Sequence, residues 1–319
     1  MITLEEVKKN VQDDLQIGVI DEFRKSNWFW EQMPFDDVVS PVGGGATMTY
    51  SYTRLKTQPT AAFRAINAEY TPQEVEKERF SADLAVFGGA FQIDRVLANM
   101  GGIVDEVTFQ MQQKIKAASA LFNDTVINGD AAQGQNAFDG LEKALKGSST
   151  EFNGSGGAVI DLSNSEQITA NYTTFLDQLD EFLALLDGRP TALICNAKLL
   201  AKIRACARRA TSYTETKDSF GRQIANYDGI PLIDIGAKAG SNDPVIPIDG
   251  SGGTTSLYAV RLGMDGFHGI SMAGQSPIRS WLPDFTTAGA VKKGEVEMVA
   301  AVALKATKAA AVMRNIKVK

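Results

Sequence analysis

The pattern of apolar and polar positions predicts its longest helix at residues 104–128, where apolar side chains recur at steps of three and four. Asp105 and Glu106 suit the positive end of the helix dipole, and Gly129 is a typical helix stop. A helix of this length measures about 35 Å at about 1.5 Å per residue. The pattern therefore predicts the backbone of a domain, without a candidate catalytic group on it.

A strand pattern precedes this helix. Met48, Tyr50 and Tyr52 alternate with serine and threonine, which is the period-two signature of a β-strand. A second run at residues 74–86 is rich enough in β-forming residues to return as a strand. Together the two runs predict a long two-stranded hairpin. Because an isolated hairpin is only marginally stable in water, this one needs a partner surface.

The charges of this hairpin are sorted by sign. There is no acidic residue between positions 47 and 68, whereas the returning half is mainly acidic. The basic residues are Arg54, Lys56 and Arg64, and the acidic ones are Glu69, Glu74, Glu76 and Glu78. Two interpretations are open. Either the charges form cross-strand pairs on a solvated ribbon, each worth about 0.2–1 kcal/mol, or they meet complementary charges on adjacent copies of the chain.

Residues 1–36 have the pattern of an apolar terminal arm. Apolar residues recur at helical spacing over positions 4–15, and a second apolar stripe ends with Trp28 and Trp30. One interpretation is an amphipathic helix that packs on its own core. The other is a segment that lies across a neighbouring subunit, with both tryptophans in the interface. The glycine run at residues 43–45 then indicates a hinge.

The pattern becomes α/β from residue 141 to residue 272. Helix-type and strand-type runs alternate there, with glycine- and serine-rich loops between them. The helical runs are residues 172–186 and 198–210, and the strand runs are residues 191–195, 230–235 and 256–261. A last strand is predicted at residues 295–304. The chain therefore combines a hairpin, a long helix and an α/β segment, which makes the fold class α+β.

Composition narrows the possible functions. The 319 residues are 44% apolar and 22% charged, as in an ordinary globular protein, and no run approaches the roughly 18 apolar residues of a membrane helix. We therefore expect no membrane partner. The net charge is −6 and the pI is near 5.1. Because tight nucleic-acid binding needs a basic face, this charge argues against a dedicated nucleic-acid-binding protein.

Candidate chemistry is sparse. His268 is the single histidine, which excludes a multi-histidine metal site, and it falls in a glycine-punctuated turn between two strand-like runs. We expect it to be structural or merely exposed. We expect Cys195 and Cys206 to be inert thiols in the core. The glycine runs do not lie between a strand and a helix, as a nucleotide-binding loop would require. The sequence therefore predicts no cofactor, no metal and no enzymatic activity.

A basic cluster lies between Asp187 and Glu215, where there is no acidic residue. Its members are Arg189, Lys198, Lys202, Arg204, Arg208 and Arg209. One interpretation is a solvated face, or pairing with acids of another element or subunit. The other is a patch that meets packaged nucleic acid or a scaffold partner.

Taken in order, these elements resemble the major capsid proteins of tailed bacteriophages, which have the Hong Kong 97 phage fold. The resemblance covers nearly the whole chain and rests on the order and spacing of several stretches. They are residues 60–70 (TAAFRAINAEY), 88–95 (GGAFQIDR), 227–233 (YDGIPLI) and the closing run at 296–312. None of them is a catalytic signature.

This resemblance implies an arm, an extended loop and two domains. The arm would be residues 1–36 and the extended loop residues 47–85. Residues 37–46, 86–140 and 276–319 would form a peripheral domain with the long helix as its spine. Residues 141–275 would form an axial domain near the five- and six-fold centres of a shell.

The same resemblance implies a structural function. Copies would assemble through pentamers and hexamers into the icosahedral capsid that encloses double-stranded phage DNA, with at most non-specific contact with that DNA. A portal and a scaffolding protein would be partners. The protein would be found in the virion capsid, after assembly in the cytoplasm of the bacterial host.

Two alternatives remain open. The first is the shell of an encapsulin-like nanocompartment, which has the same fold and would contain cargo protein and no DNA. The second, from a different class, is a cytosolic α/β enzyme with a carboxylate site. Turnover or specific ligand binding by an unassembled subunit would identify the enzyme, and the single histidine and missing cofactor motifs argue against it.

Overall fold

A computed structural model of the chain describes residues 28–40, 47–100, 105–133, 136–210, 214–217 and 223–319. The predicted hinge at residues 43–45 and the predicted arm before Trp28 lie outside the described residues. The described helices are α1 (Trp28–Gln32), α2 (Arg95–Ala98), α3 (Glu106–Asn128), α4 (Leu141–Leu145), α5 (Ser165–Ala184) and α6 (Ala197–Arg209). None of these helices has the length and apolarity needed to cross a membrane.

The described strands form a five-stranded sheet, an eight-stranded sheet and a two-stranded hairpin. In chain order they are β1 (Phe35–Val39), β2 (Thr49–Leu55), β3 (Lys77–Asp83), β4 (Ala85–Asp94), β5 (Glu151–Phe152), β6 (Ile160–Asp161), β7 (Ala192–Cys195), β8 (Thr214–Lys217), β9 (Gln223–Tyr227), β10 (Ile230–Asp234), β11 (Thr254–Val260), β12 (Phe267–Met272), β13 (Ile278–Trp281), β14 (Val291–Leu304) and β15 (Ala310–Lys317). The hairpin is β2 with β3, as the sequence predicted.

Strand β14 is the centre of the five-stranded sheet. On one side it pairs antiparallel with the whole of β4, from Val291 opposite Asp94 to Ala300 opposite Ala85. On its other side it pairs first with β13 and then with β12. Strand β1 lies parallel to β12 at the far edge. Three neighbouring strands therefore depend on β14 for their place.

Helix α3 packs on this sheet and confirms the long predicted helix. Asp105 caps its first turn by accepting a hydrogen bond from the backbone N–H of Thr108 at 3.3 Å. Its buried Met111 packs against β4 and β14. The helix ends at Gly129, where a Cβ would lie 2.3 Å from the carbonyl oxygen of Phe138. Only glycine fits that close approach.

The second half of α3 carries an aromatic cluster around Phe122. This side chain is completely buried, and its ring lies 5.0 Å from that of Trp30, 6.0 Å from that of Phe87 and 5.8 Å from that of Phe138. Aromatic pairs at such separations contribute beyond the area they bury. The cluster joins α1, β4 and the segment after α3 into one core.

The eight-stranded sheet carries helices α5 and α6. Strands β7 and β10 are parallel neighbours, and α6 follows β7 in the chain. The three elements form a βαβ unit, with β8 and β9 inserted between α6 and β10. Phe175 and Phe182 of α5, and Leu199 and Ile203 of α6, are completely buried in the core that these helices share with the sheet. The α/β character predicted for this part of the chain is confirmed.

Two strands cross the domain boundaries that we expected from the sequence. Strand β15, which that division placed in the peripheral domain, pairs with β11 in the eight-stranded sheet. Strand β12, which it placed in the axial domain, pairs with β14 in the five-stranded sheet. The physical reason is that strands form hydrogen bonds with partners far along the chain, so boundaries drawn at positions in the sequence need not follow the sheets.

The predicted turn stops short of His268, because residues 263–266 form the turn and β12 begins at Phe267. His268 lies within β12, opposite Ala303 of β14, and its side chain is completely buried. The ring of Tyr50 packs against it edge-on, with centroids 5.8 Å apart. Burial, together with the nearby ammonium of Lys305, lowers the pKa of His268 below the usual 6.5, against the opposing effect of the Asp36 carboxylate. The core therefore accommodates the neutral imidazole.

Replacing Phe122 by Ala should destabilise the fold by about 3–5 kcal/mol, because it empties a completely buried site that several rings share. The measurement is the free energy of unfolding in urea. Leu121→Ala on the same helix is the matched control, since Leu121 is 38% exposed and its truncation should have a small effect. Equal losses for the two variants would contradict the central place of Phe122.

Replacing His268 by Gln should remove a pH dependence from stability. The unfolded chain binds a proton near pH 6.5, whereas the folded pKa is lower, so the wild type should lose stability as the pH falls below about 6.5 and keep it above. Because His268 is the single histidine, the variant isolates its contribution. The urea midpoints of both proteins would be compared from about pH 7.5 to about pH 5.5. Parallel profiles would rule out the buried neutral imidazole.

Candidate assembly interface

The hairpin has an inner and an outer face. Strands β2 and β3 pair from Thr49 opposite Asp83 to Leu55 opposite Lys77. On the inner face the rings of Tyr52 and Phe80 stack, with centroids 5.8 Å apart. The outer residues of both strands are exposed. The alternation seen in the sequence therefore separates a side that faces the body of the chain from a side that faces solvent.

Beyond this base the hairpin projects. Every residue from Leu55 to Arg79 is exposed. Local polar contacts shape the loop: the backbone N–H of Lys56 donates to Glu76, and the Thr60 hydroxyl donates to the side-chain oxygen of Gln73 at 2.5 Å. The loop is thus folded on itself and does not rest on the body of its own chain.

The tip of the hairpin is apolar. Phe63 is fully exposed, Ile66 is 91% exposed and Tyr70 is 60% exposed. Arg64 lies among them, with its guanidinium 5.5 Å from the centre of the Tyr70 ring. Large apolar side chains that cluster on a projecting element mark an interaction surface. Phe63 and Ile66 were not among the residues predicted from the sequence, although apolar residues between two turn-forming stretches are a signal for such a tip.

Arg54 anchors the base of the hairpin to the end of β14. Its Nε donates to the carbonyl oxygen of Lys305 at 2.8 Å, its Nη1 donates to the Thr307 hydroxyl at 3.3 Å, and its Nη2 donates to the carbonyl oxygen of Leu304. The guanidinium also lies over the ring of Phe80, 4.2 Å from its centre. We call this set of contacts the Arg54 clamp.

A second polar group lies beside the clamp. The Tyr50 hydroxyl donates to the Asp36 carboxylate at 2.9 Å, and the Lys305 ammonium lies 3.7 Å from the same carboxylate. The Tyr52 hydroxyl donates to the carbonyl oxygen of Leu304 at 2.9 Å. Burial raises the pKa of both tyrosines. The two hydroxyls therefore stay protonated and act as donors that tie β2 to β1 and β14.

The charges that the sequence singled out have different positions. Arg54 turns inward and binds the end of β14 in its own chain, a contact that neither interpretation of the sequence included. Lys56 pairs with Glu76 at 3.0 Å, and both side chains are about 60% exposed. Arg64 lies at the tip. The acidic residues Glu69, Glu74 and Glu78 are exposed along the returning half. The structure thus leaves these acids, with Lys56, Glu76 and Arg64, on the surface of the hairpin.

Trp28 and Trp30 lie on α1 and pack on the chain's own core. The ring of Trp28 is 5.1 Å from that of Phe29, and the ring of Trp30 is 5.1 Å from that of Phe35. Both tryptophans are half-buried. Of the two interpretations of this stretch, the structure favours packing on its own core for the tryptophans.

The basic cluster is partly engaged within the chain. The Lys202 ammonium donates to the carbonyl oxygen of Ser163 at 2.5 Å, and Arg209 donates to the Ser165 hydroxyl at 2.9 Å. These contacts tie α6 to the start of α5. Lys198 and Arg208 are exposed. The cluster is therefore divided between structural ties and isolated surface charges.

The polar cleft and the two cysteines outside the hairpin have structural roles. A cleft of about 680 Å³ opens at the carboxyl ends of β7 and β10. Asn196 lines it, but its amide donates to Thr255 at 2.7 Å and its oxygen caps α6 at Leu199. Burial raises the pKa of the Cys206 thiol to about 11 and also raises that of Cys195. Among the described residues, no group of His, Cys, Asp and Glu could hold a metal ion.

Comparison by sequence finds no relative: no protein-family model matches the chain, and no curated protein matches it. Comparison by structure does. The holo-SrpI encapsulin complex of Synechococcus elongatus PCC 7942 matches with a TM-score of 0.67 and 15% identity, over 99% of this chain and 96% of that one. A structure from Mycobacterium phage Adephagia matches with a TM-score of 0.63 and 13% identity, over 100% of this chain and 99% of that one.

The capsid of a native GTA particle is similar as well, with a TM-score of 0.60 and 13% identity over 98% of this chain and 96% of that one. These matches cover nearly the whole of each chain, so they include the hairpin, the long helix and both sheets. The chain therefore has the α+β fold of the Hong Kong 97 phage-type capsid proteins, which is the fold that the resemblance in its sequence implied.

Proposed function

We propose that this chain is the structural subunit of a tailed-phage capsid, which assembles into the icosahedral shell around the double-stranded DNA genome. One observation carries the proposal: a hairpin that projects from the body and exposes Phe63 and Ile66 at its tip. An exposed apolar tip on a marginally stable two-stranded element is explained by a surface on another copy. The role is structural, without catalysis.

Repetition makes such a contact effective. Each copy in a closed shell would give its hairpin to one neighbour and receive the hairpin of another, so that a modest contact recurs around the assembly. The exposed charges Lys56, Arg64, Glu69, Glu74, Glu76 and Glu78 would set the register of this contact. Their effect would lie mainly in specificity, since exposed ion pairs contribute little free energy.

We infer two domains from the two larger sheets. The five-stranded sheet with α3 would be the peripheral domain, now including β12. The eight-stranded sheet with α5 and α6 would be the axial domain, now including β15 and lying near the five- and six-fold centres. Pentamers and hexamers would form around the axial domain, and the hairpin would link neighbouring subunits.

Portal and scaffolding proteins are the partners that a tailed-phage shell would require. Contact with the packaged DNA would be non-specific at most, because the net charge is −6 and the basic residues of α6 are partly used within the chain. The protein would be found in the virion, after assembly in the bacterial cytoplasm.

The shell of a nanocompartment is the second candidate. The encapsulin match has a TM-score of 0.67, against 0.63 and 0.60 for the phage and GTA structures. The contents of the shell separate the two candidates. Negative-stain electron microscopy of the purified protein would establish assembly, and nuclease-protected DNA or co-purified cargo protein would then identify the use. A monomer that persists at high concentration with scaffold supplied would exclude both.

Replacing Phe63 and Ile66 together by Ser should lower the shell yield about tenfold or more, because burying one such side chain contributes about 1.5–3 kcal/mol per contact. Folding should be unchanged, since both side chains are exposed in the subunit. Val159→Ser is the matched control, as an exposed apolar residue outside the hairpin. The yields of sedimenting shells and the circular dichroism melts would be compared. A normal yield from the double variant would remove the tip from the interface.

Replacing Lys56 and Arg64 together by Glu should spare folding and impair assembly at low salt. The exposed pair of Lys56 with Glu76 contributes at most about 1 kcal/mol to the subunit. Repulsion repeated at every interface would oppose association, and salt should partly restore it by screening. Arg54 is left unchanged, because its loss would disturb the hairpin base. Unimpaired shell formation at low salt would show that these charges do not face acids of another copy.

A further inference from the structure

Arg54 is the outermost residue of β2 that ties the hairpin to the body. Beyond it every residue up to Arg79 is exposed, and the loop contacts described above stay within the hairpin. The acceptors of the clamp lie about 250 residues further along the chain, at the end of β14. The direction in which the tip projects therefore depends on the contacts at the base of the hairpin, of which Arg54 makes the outermost on β2.

The clamp uses the shape of the guanidinium. Nε, Nη1 and Nη2 each donate to a different group of the β14 end, and Nη2 also lies 3.3 Å from the Tyr52 hydroxyl. A planar fork with several donors fixes orientation as well as position, which a lysine ammonium cannot do. Phe80 stacks on the same guanidinium and holds the second strand of the hairpin to it.

A cavity lies beneath the clamp. Its volume is about 300 Å³, and it is lined by Tyr52, Arg54 and Phe80 on the hairpin side and by Leu141 and Phe267 on the body side. The base of the hairpin thus bridges a space and does not merge with the core at this level. A change of hairpin angle would break the polar contacts of the clamp while leaving the packed core below it intact.

We propose that the Arg54 clamp is a positioning device: it sets the angle at which the hairpin leaves the body and so determines where the tip meets a second copy of the chain. The inference rests on the proposed function as a shell subunit. Arg54 would act through the hairpin, because its guanidinium donates to its own chain. A subunit with an open clamp still folds and still exposes its apolar tip, but it presents that tip over a range of angles and forms assemblies of variable size.

Arg54→Lys tests the proposal, because it keeps the positive charge and removes the fork. Arg79→Lys is the matched control: Arg79 belongs to the same hairpin and donates to the Ser51 hydroxyl at 2.9 Å on the exposed face. Spin labels at Ala62→Cys on the tip and Ser251→Cys on the body would report the hairpin angle as a distance distribution. Cys195 and Cys206 are completely buried and would stay unlabelled.

The expected result is a narrow distance distribution for the wild type and for Arg79→Lys, and a broad one for Arg54→Lys. Amide exchange in β2 and β3 should become faster by about tenfold or more in Arg54→Lys only, because hydrogen bonds to a charged group are lost there. Electron micrographs should show uniform shells for the control and shells of mixed diameter for Arg54→Lys. Equally narrow distributions and uniform shells for both variants would overturn the proposal.

The role of the clamp and the proposed shell function can be tested separately. The distance distribution and amide exchange are measured on the unassembled subunit, so they test the clamp even if the protein never forms a shell. If the wild type does not assemble but Arg54→Lys broadens the distribution, the proposed function fails and the clamp stands. If the wild type assembles but Arg54→Lys changes neither angle nor diameter, the clamp fails and the shell function stands.

Discussion

The antiparallel ladder between β4 and β14 is the interaction on which the rest of the structure depends. It runs without a break from Asp94 opposite Val291 to Ala85 opposite Ala300. Helix α3 packs on these two strands, and β12 and β13 take their places from the other side of β14. Only Leu84 separates β4 from the hairpin strand β3. The ladder therefore fixes where the hairpin begins, and the end of β14 supplies the carbonyl groups that fix its direction.

The base of the hairpin is stabilised by contacts within its own chain, whereas the tip is not. At its base, aromatic rings and buried donors are satisfied by the chain itself, as for Tyr50 with Asp36 and Tyr52 with Leu304. At its tip, Phe63 and Ile66 keep nearly all of their surface exposed. Ordering an exposed loop costs conformational entropy that contacts within the loop only partly offset. A tip of this composition gains stability only when another surface covers it, which links its role to association.

How much the sequence could predict depended on the kind of contact. The hairpin and helix α3 were predictable because their apolar periods of two and about 3.6 come directly from backbone geometry. The role of Arg54 was not, because two of its acceptors are main-chain carbonyl oxygens that leave no side-chain pattern, and the third, the Thr307 hydroxyl, lies 253 residues further along the chain. The glycines on either side of His268 indicated a turn, although His268 lies in strand β12, beside β14. The tryptophans on α1 could have met their own core or a neighbour, and periodicity alone does not distinguish these surfaces.

The contrast between ladder and clamp bears on how a shared fold can give different assemblies. Structures with this fold match the chain at 13–15% identity over nearly its full length. A ladder of strands requires only alternating apolar positions and a helix that packs on it, and many sequences meet these requirements. The clamp is different, because two of its acceptors are backbone carbonyl oxygens that the fold supplies whatever the side chains are, whereas its donor is one arginine. A single substitution at position 54 can therefore change the hairpin angle while the fold stays the same. Because every contact of a closed assembly repeats that angle, a small change in one subunit becomes a change in the curvature of the whole.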